Sequence, residues 1–338
     1  MFFPRKSLPS YKERKLTFKL VTDIAVPRLS FNGTYLLILV TSAPSHLQHR
    51  EAIRATWANR TSLQSRRQPF SSVDDWKIVF MLGKADANTN AVVEQEASVF
   101  NDILLGEFQD SYKNLVIKTI MGLSWASRLN CTHVLKADDD VYIHIPRLIT
   151  WLRQPSLPAG LYAGRVYPKV PVLRQTTSKY FLDRESYPAS YYPPYCAGPF
   201  YVLSQSILPA LVNLTSFVKP ILMEDAYIGM LTQTLGISLV DRSANFMVLS
   251  PESRVLLLDD CYFTSNIGLG HGISPSGLHA VHSRHLSIES LNLEKQYLIC
   301  IRYKLVFITK LLCLVSIVVI ALYFCARQLR ASLRACML

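Results

Sequence analysis

Short apolar runs alternate with helix-like segments in the first half of the chain, and this alternation limits the fold more than any other feature. Apolar runs of strand length lie at 34–41, 76–82 and 133–137. Helix-like patterns lie between them, at about 47–57 and 91–103. Strands that alternate with helices predict an α/β fold with a mainly parallel central sheet flanked by helices.

The next helix is expected to begin at a cap formed by Asp110 and Ser111 and to end near Arg128. Residues 154–199 have a different texture, with many Pro and Tyr residues and few periodic runs. Such a stretch predicts long ordered loops, which are usually functional in a compact domain. Beyond it, the pattern predicts a strand at 200–203 and helices at 206–212 and 225–235.

Residues 305–325 form an apolar segment that only Lys310 and a few small polar residues interrupt. A helix of this length spans about 30 Å, the thickness of a bilayer core, which predicts a transmembrane helix. The alternative is an amphipathic or buried terminal helix from which Lys310 reaches solvent. The positive-inside rule does not orient the segment, because basic residues flank it on both sides: Arg302, Lys304, Arg327, Arg330 and Arg334.

The net charge of +12 is concentrated at the two ends of the chain. Residues 1–20 carry six basic residues and one acid, and residues 301–338 carry six basic residues and no acid. A groove for nucleic acid needs basic charge across the folded domain, and here that domain is almost neutral. The sequence therefore predicts no nucleic-acid partner.

Seven cysteines are present, and none belongs to a CxxC pair or another zinc-ligand spacing. Glycosylation sequons begin at Asn32, Asn59, Asn130 and Asn213. These sequons suit a lumenal, oxidising compartment. In such a compartment Cys131, Cys196 and Cys261 are candidates for a disulfide.

Three aspartates directly follow the apolar run at 133–137. In an extended chain, Asp138 and Asp140 share a face while Asp139 points away. Two carboxylates on one face suit a hard divalent cation such as Mn²⁺ or Mg²⁺, and the carboxyl end of a parallel strand is where α/β sheets bind nucleotides. An exposed acidic turn is the alternative that the local sequence leaves open.

A second acidic pair, Glu224-Asp225, opens a predicted helix. Acids near a helix N-terminus stabilise the helix, so ordinary capping explains the pair. The alternative is a general base that takes a proton from an attacking hydroxyl. Local sequence does not separate the two.

The order of the motifs resembles that of the β1,3-galactosyltransferase and β1,3-N-acetylglucosaminyltransferase family, glycosyltransferase family 31, over roughly 36–291. The matching blocks are R-x-x-I-R-x-T-W at 50–57, F-x-L-G at 80–83, the long helical signature at 94–103 and 108–119, K-x-D-x-D-V at 136–141, Y-P-x-Y-C-x-G at 192–198, E-D at 224–225 and V-H at 281–282.

The resemblance implies a GT-A type nucleotide-sugar-binding fold, an inverting mechanism, a divalent cation such as Mn²⁺ and a UDP-sugar donor. Asp138, Asp140 and His282 would be the metal ligands, and Asp139 would lie near the ribose. Asp225 would be the catalytic base. Arg54 and Glu224 would border the nucleotide-sugar pocket, and Tyr195 and Tyr201 fit an acceptor wall.

The implied reaction moves Gal or GlcNAc from a UDP-hexose to a glycan acceptor on a glycoprotein or glycolipid, in β1,3 linkage. It would take place at the Golgi membrane, with the catalytic domain lumenal and the apolar helix in the bilayer. The expected organisation is a basic segment at 1–30, a catalytic domain at 31–295, a transmembrane helix at 305–325 and a basic tail at 326–338.

Phe200 stands where the family pattern has a second glycine, and the candidate anchor is C-terminal rather than N-terminal. Because Phe cannot allow the close backbone approach of glycine, Phe200 is expected to reshape or block the sugar pocket. These departures leave two alternatives open. One is a catalytically impaired UDP-sugar-binding pseudoenzyme, and the other is a membrane-anchored interaction protein.

Overall fold

The structure is a computed structural model, which describes residues 24–60 and 76–335. The predicted basic segment lies outside this part as far as residue 23, and the predicted tail lies outside it from Cys336 onward. The chain divides into two compact units, one of residues 1–256 with 266–282 and one of residues 257–265 with 283–338. The predicted domain boundaries stay predictions.

Thirteen strands are present in the described part of the chain. They are β1 (Ile24–Ala25), β2 (Thr34–Thr41), β3 (Trp76–Lys84), β4 (Ile103–Gln109), β5 (Cys131–Asp138), β6 (Tyr142–Ile143), β7 (Tyr162–Tyr167), β8 (Val170–Pro171), β9 (Tyr191–Tyr192), β10 (Tyr195–Ser204), β11 (Leu239–Asp241), β12 (Phe246–Met247) and β13 (Gly268–Leu269).

Ten α-helices accompany them in the same part. They are α1 (Leu47–Ala55), α2 (Ala87–Phe100), α3 (Leu115–Ala126), α4 (Ile145–Leu152), α5 (Leu208–Leu214), α6 (Glu224–Thr234), α7 (Glu252–Leu256), α8 (Asp260–Phe263), α9 (Pro275–Ser290) and α10 (Leu293–Ala335).

The main sheet has eight strands in the order β1-β4-β3-β2-β5-β10-β7-β11. Strands β4, β3, β2 and β5 are parallel, whereas β10 is antiparallel to both of its neighbours. Strand β2 lies in the middle, and Leu36 to Val40 are fully buried because both faces of the sheet are covered. The predicted α/β fold with a mainly parallel centre is confirmed.

Helix α3 covers one face of the parallel strands through Met121 and Leu123, which are buried against Leu39 and Met81 in the same core cluster. At Gly122 an added Cβ would lie 2.0 Å from the Met81 sulfur, so this helix approaches the sheet more closely than a side chain would permit. Helix α3 thereby fixes the sheet that carries the acidic strand end.

Two sequence predictions in this region are wrong. The helix predicted at 91–103 ends at Phe100, because Asn101 takes a left-handed conformation with φ of 54°, and Ile103 begins strand β4. Asp110 does not cap the next helix. Its carboxylate accepts a hydrogen bond from the Gly83 N–H at 2.7 Å and pairs with Lys118 at 2.7 Å.

The Pro- and Tyr-rich stretch is ordered around Arg174. The guanidinium donates hydrogen bonds of 2.6–2.8 Å to four backbone carbonyls, those of Leu182, Asp183, Tyr187 and Ala189. Strands β8 and β9 pair across the same stretch. The partly buried Arg174 guanidinium thus satisfies backbone carbonyls that have no regular hydrogen-bond partner in this stretch.

The second unit holds α8 and α10, which a disulfide between Cys261 and Cys300 connects. Cys131 and Cys196, the other two cysteines considered from the sequence, are buried free thiols. Within α10, residues Leu293–Cys325 contain an 18-residue window with a mean hydropathy of 2.8, and the segment is long enough to cross a membrane. The predicted apolar C-terminal helix is confirmed as an element of the fold.

Candidate functional site

The site is built at the carboxyl end of β5, where the strand reaches Asp138. The side chain of Asp138 accepts a hydrogen bond from the Thr41 hydroxyl at 3.0 Å and one from the Lys136 ammonium at 2.5 Å. Thr41 lies opposite Asp138 because β2 and β5 are paired in parallel with that register. The predicted acidic cluster is therefore anchored at the edge where parallel strands end.

A turn at Gly270-His271-Gly272 brings a histidine to the aspartates. Both glycines have positive φ, 86° and 84°, and β13 just before them pairs with β6 just after Asp140. As a result, the His271 Nδ1 lies 3.4 Å from a carboxylate oxygen of Asp140. One ligand atom from each of Asp138, Asp140 and His271 lies within 4.8 Å of the other two.

This group fits a divalent cation by its chemistry. Two carboxylates and an imidazole suit Mn²⁺, and further ligand positions would remain for a diphosphate. The Asp140 Oδ1 is buried and has no hydrogen-bond partner among the described residues. A buried carboxylate oxygen without a partner is costly, and a cation would satisfy it.

The pKa values of these three side chains depend on their burial and on the charged groups beside them. Burial raises the pKa of Asp138, against the effect of the Lys136 ammonium, and the neighbouring Asp140 raises it further. Burial would also raise the pKa of Asp140, but the hydrogen bond from His271 holds it below its ordinary value. The same hydrogen bond raises the pKa of His271.

Asp139 points to the other face of the strand, as the alternation of β side chains predicts. Its carboxylate accepts a hydrogen bond from the Ser42 hydroxyl at 2.6 Å and lies 2.9 Å from the His46 Nδ1. That contact with Asp139 raises the pKa of His46. Asp139 therefore holds the loop after β2, and its contact with a ribose stays a prediction.

The group of three ligands does not include His282. The His282 Nδ1 lies 2.9 Å from the hydroxyl of Tyr142, inside the fold. The histidine that lies beside the aspartates is His271, which belongs to none of the motifs identified in the sequence. A histidine between two glycines, shortly after an apolar pair, is the signal that could have found it.

Lys136 joins the two acidic motifs. Its ammonium lies 2.5 Å from Asp138, 3.1 Å from a carboxylate oxygen of Glu224 and 2.7 Å from the Gly198 carbonyl. The side chain is 1% exposed. Burial opposes the charge, yet the carboxylates of Asp138 and Glu224 outweigh burial and raise the pKa of Lys136.

Asp225 lies beside this lysine at the start of α6. One carboxylate oxygen accepts from the Gly198 N–H at 3.0 Å and the other from the Ala226 N–H at 2.8 Å. Burial raises the pKa of Asp225 above its ordinary value. The two N–H donors leave lone pairs free, so the carboxylate is oriented and still able to accept a proton.

Glu224 is buried and faces the interior. The Tyr201 hydroxyl donates to it at 3.1 Å, and Lys136 approaches from the other side. Burial raises the pKa of Glu224 to about 7, although Lys136 opposes that rise. Of the acidic pair, Asp225 is the partly exposed member, and Glu224 supports Lys136.

Arg54 contacts protein carboxylates. It donates two hydrogen bonds of 2.8 Å to Asp102 and pairs with Glu96 at 2.7 Å. Its guanidinium also lies 4.0 Å from the ring centre of Phe100. These contacts tie α1 to α2, and the role of Arg54 at a nucleotide stays a prediction.

Phe200 is fully buried, with its ring 5.5 Å from that of Phe246. A Cβ on Gly268 would lie 2.9 Å from the Phe200 ring, so the glycine makes room for the larger side chain. Phe200 is therefore part of the core. Tyr195 and Tyr201, the predicted acceptor wall, are likewise buried.

The chain is similar to known galactosyltransferases. The family model described as galactosyltransferase matches residues 48–243. The chain is 33% identical over 211 residues to mouse beta-1,3-galactosyltransferase 1, covering 61% of this chain and 62% of that protein. It is 30% identical over 245 residues to beta-1,3-galactosyltransferase 5 of Gorilla gorilla gorilla, covering 71% and 80%.

Among solved structures, the chain is similar to the glycosyltransferase GlyE of Streptococcus pneumoniae, with 9% identity and a TM-score of 0.37. That similarity covers 76% of this chain and 62% of GlyE.

Proposed function

Because the chain belongs to the galactosyltransferase family, we propose that it transfers Gal or GlcNAc from a UDP-sugar to a glycan acceptor on a glycoprotein or glycolipid. The transfer proceeds with inversion and forms a β1,3 linkage. The names of the relatives and the motif order support the linkage and the donor class.

One observation carries the proposal: Lys136 and Gly198 join the two acidic motifs in one site. Lys136 contacts both Asp138 and Glu224, and Gly198 contacts both Lys136 and Asp225. The candidate metal ligands and the candidate base therefore stand close enough to act on one bound sugar.

Asp138, Asp140 and His271 are the residues that would hold Mn²⁺ or another divalent cation. When bound, the cation neutralises the negative charge of the diphosphate and so favours the departure of UDP. The His271 Nδ1 lies 3.4 Å from the Asp140 carboxylate, so the imidazole and the two carboxylates face one position.

Asp225 is the base of the proposed reaction. The acceptor oxygen forms a bond to the anomeric carbon while the bond from that carbon to the phosphate oxygen breaks, and the electron pair leaves with UDP. The acceptor proton passes to the Asp225 carboxylate, which the N–H groups of Gly198 and Ala226 orient. Attack opposite the leaving group converts an α-linked donor into a β-linked product.

The test measures UDP release by the full-length protein in detergent, with Mn²⁺, UDP-Gal or UDP-GlcNAc and an oligosaccharide acceptor. Asp225→Asn and Asp140→Asn are each expected to lose about 100-fold or more of the activity. The control is Asp86→Asn, because Asp86 is an exposed cap of α2 and Asn also caps helices. Full activity in both site variants would overturn the proposal.

Two results would favour the alternative functions. UDP binding without turnover of either donor would indicate a pseudoenzyme. No stabilisation by UDP with Mn²⁺, at a hundred times the expected Kd, would indicate an interaction protein, because such a ligand should add about 2.7 kcal/mol. The buried position of Phe200 removes one reason for expecting a blocked pocket.

The proposed compartment is the Golgi lumen, with the protein attached to the membrane. Family membership supports this placement, and the exposed sequon residues Asn130 and Asn213 are compatible with it. Immunofluorescence of the full-length protein together with a Golgi marker tests it. A cytosolic distribution would contradict it.

A further inference from the structure

The apolar part of α10 has no protein cover in the described chain. Its large apolar side chains between Leu305 and Phe324 are 44–64% exposed, and the membrane-length window is 0% buried. They occur on every face of the helix, whereas a helix that packs on a protein surface has one polar face. This distribution fits lipid on all sides.

The length of the segment also fits a bilayer. Tyr303 and Tyr323 are separated by about 30 Å along a helix, and tyrosines favour the two membrane interfaces. Lys310 lies close enough to the amino-terminal end for its ammonium to reach the nearer interface. These features indicate that the segment lies in a lipid bilayer.

Flanking charge does not orient this segment, but the disulfide does. Cys300 lies only a few residues before Leu305 and is bonded to Cys261. Disulfides form and persist in the lumen and are rare in the cytosol. The side of the membrane that holds Cys300 is therefore the oxidising side.

We propose that α10 is a C-terminal membrane anchor whose amino-terminal end, with the Cys261–Cys300 disulfide, faces the lumen, while the residues after 325 face the cytosol. The sequence after residue 325 carries three arginines and no acid, and the anionic lipids of a cytosolic leaflet attract basic segments of this kind. This assignment concerns the anchor and does not depend on the proposed catalytic activity.

Other contacts in the second unit support the assignment. The hydroxyls of Tyr262 and Tyr303 lie 2.6 Å apart, and Arg284 pairs with Asp260 at 2.6 Å. The disulfide thus belongs to a connected group of contacts at the lumenal end of the anchor. Such a group holds the segment 257–265 against the helix just outside the proposed membrane boundary.

The first test uses the full-length protein with an epitope tag after residue 338, in microsomes prepared from expressing cells. Protease added to intact microsomes should remove the tag and leave the preceding protein protected until detergent is added. The protein should remain in the membrane after alkaline carbonate extraction. A protected tag, or release by carbonate, would overturn the proposal.

Glycosylation supplies a second readout of the same orientation. The protein should carry endoglycosidase-sensitive glycans that disappear when all four sequons are removed in Asn32→Gln/Asn59→Gln/Asn130→Gln/Asn213→Gln, whereas a sequon added after the tail should remain unmodified. Modification of the added sequon would place the tail in the lumen and overturn the proposal.

The disulfide is tested by alkylating free thiols during denaturation and mapping unreduced peptides by mass spectrometry. We expect a linked Cys261–Cys300 peptide and alkylated Cys131 and Cys196. The matched control is Cys313→Ser, which changes an exposed thiol of the same helix and should leave the linkage and topology intact. Alkylated Cys261 and Cys300 in the native protein would contradict the lumenal assignment.

Discussion

Replacing Lys136 with methionine tests whether the buried ammonium holds the two acidic motifs together. Methionine keeps most of the side-chain volume and removes the charge. The side chain is 1% exposed, and its ammonium has three oxygen partners, those of Asp138, Glu224 and Gly198. Removing it leaves two carboxylates without their shared counter-charge in a buried site.

The expected loss is about 3–5 kcal/mol of the free energy of unfolding, the usual cost of removing one partner of a buried ion pair. The assay is urea unfolding of the full-length protein in detergent, followed by tryptophan fluorescence. The matched control is Lys84→Met. Lys84 also lies in a strand and pairs with a carboxylate, that of Glu107 at 2.6 Å, but both side chains are at least 40% exposed. This control should lose only about 0–1 kcal/mol.

A second substitution in the Lys136→Met protein distinguishes the effect of the lost charge from that of altered packing. Glu224→Gln removes one of the two carboxylates, so the double variant Lys136→Met/Glu224→Gln should be more stable than Lys136→Met alone. If Lys136→Met unfolds within 1 kcal/mol of the unchanged protein, or if the double variant recovers nothing, the reasoning about Lys136 is refuted.

Three further predictions follow from neighbouring contacts. Gly198→Ala places a Cβ 3.2 Å from the Asp225 carboxylate, so it should lower kcat with little change in the urea midpoint, and an unchanged kcat would contradict the assigned base. Gly268→Ala should cost about 1–3 kcal/mol by crowding Phe200, and Phe200→Leu in the same protein should recover part of that loss in urea unfolding. Burial lowers the pKa of His133 from 6.5 in the unfolded chain to about 4 in the folded protein. As the pH falls, the unfolded chain therefore binds the proton before the folded protein does. Stability should therefore fall as the pH drops from about 6.5 to about 4, and His133→Asn should flatten that part of the unfolding-versus-pH curve.

Local patterns predicted the parallel centre of the sheet well. Strand β2 was predicted with its observed bounds, because its largely apolar run has the length of a strand and ends at the turn sequence Ser-Ala-Pro. Strand β4 was missed, since the exposed Glu107 and the Gly106 within it weaken its apolar pattern. Pairing with β3, rather than a pattern in its own sequence, makes the segment a strand.

The candidate site was predictable only in part, because tertiary pairing rather than a local pattern brings His271 to it. Asp138, Asp140 and Asp225 lie next to regular elements, so their positions follow from strand and helix ends. His271 reaches the aspartates through the pairing of β13 with β6, two strands of two residues each. Strands that short carry almost no periodic signal, and their partners are far apart in sequence.

The charges of the site explain why nucleotide affinity and cation occupancy should be linked. Asp138, Asp140, Glu224 and Asp225 stand against one buried ammonium and a half-exposed histidine. A diphosphate entering this site alone would meet excess negative charge at low dielectric, which costs more than the same charge in water. Anion binding therefore requires added positive charge, and by linkage a nucleotide that binds better with the cation must strengthen cation binding equally. The Asp140 Oδ1, which has no hydrogen-bond partner among the described residues, is the atom at which we expect the cation to bind.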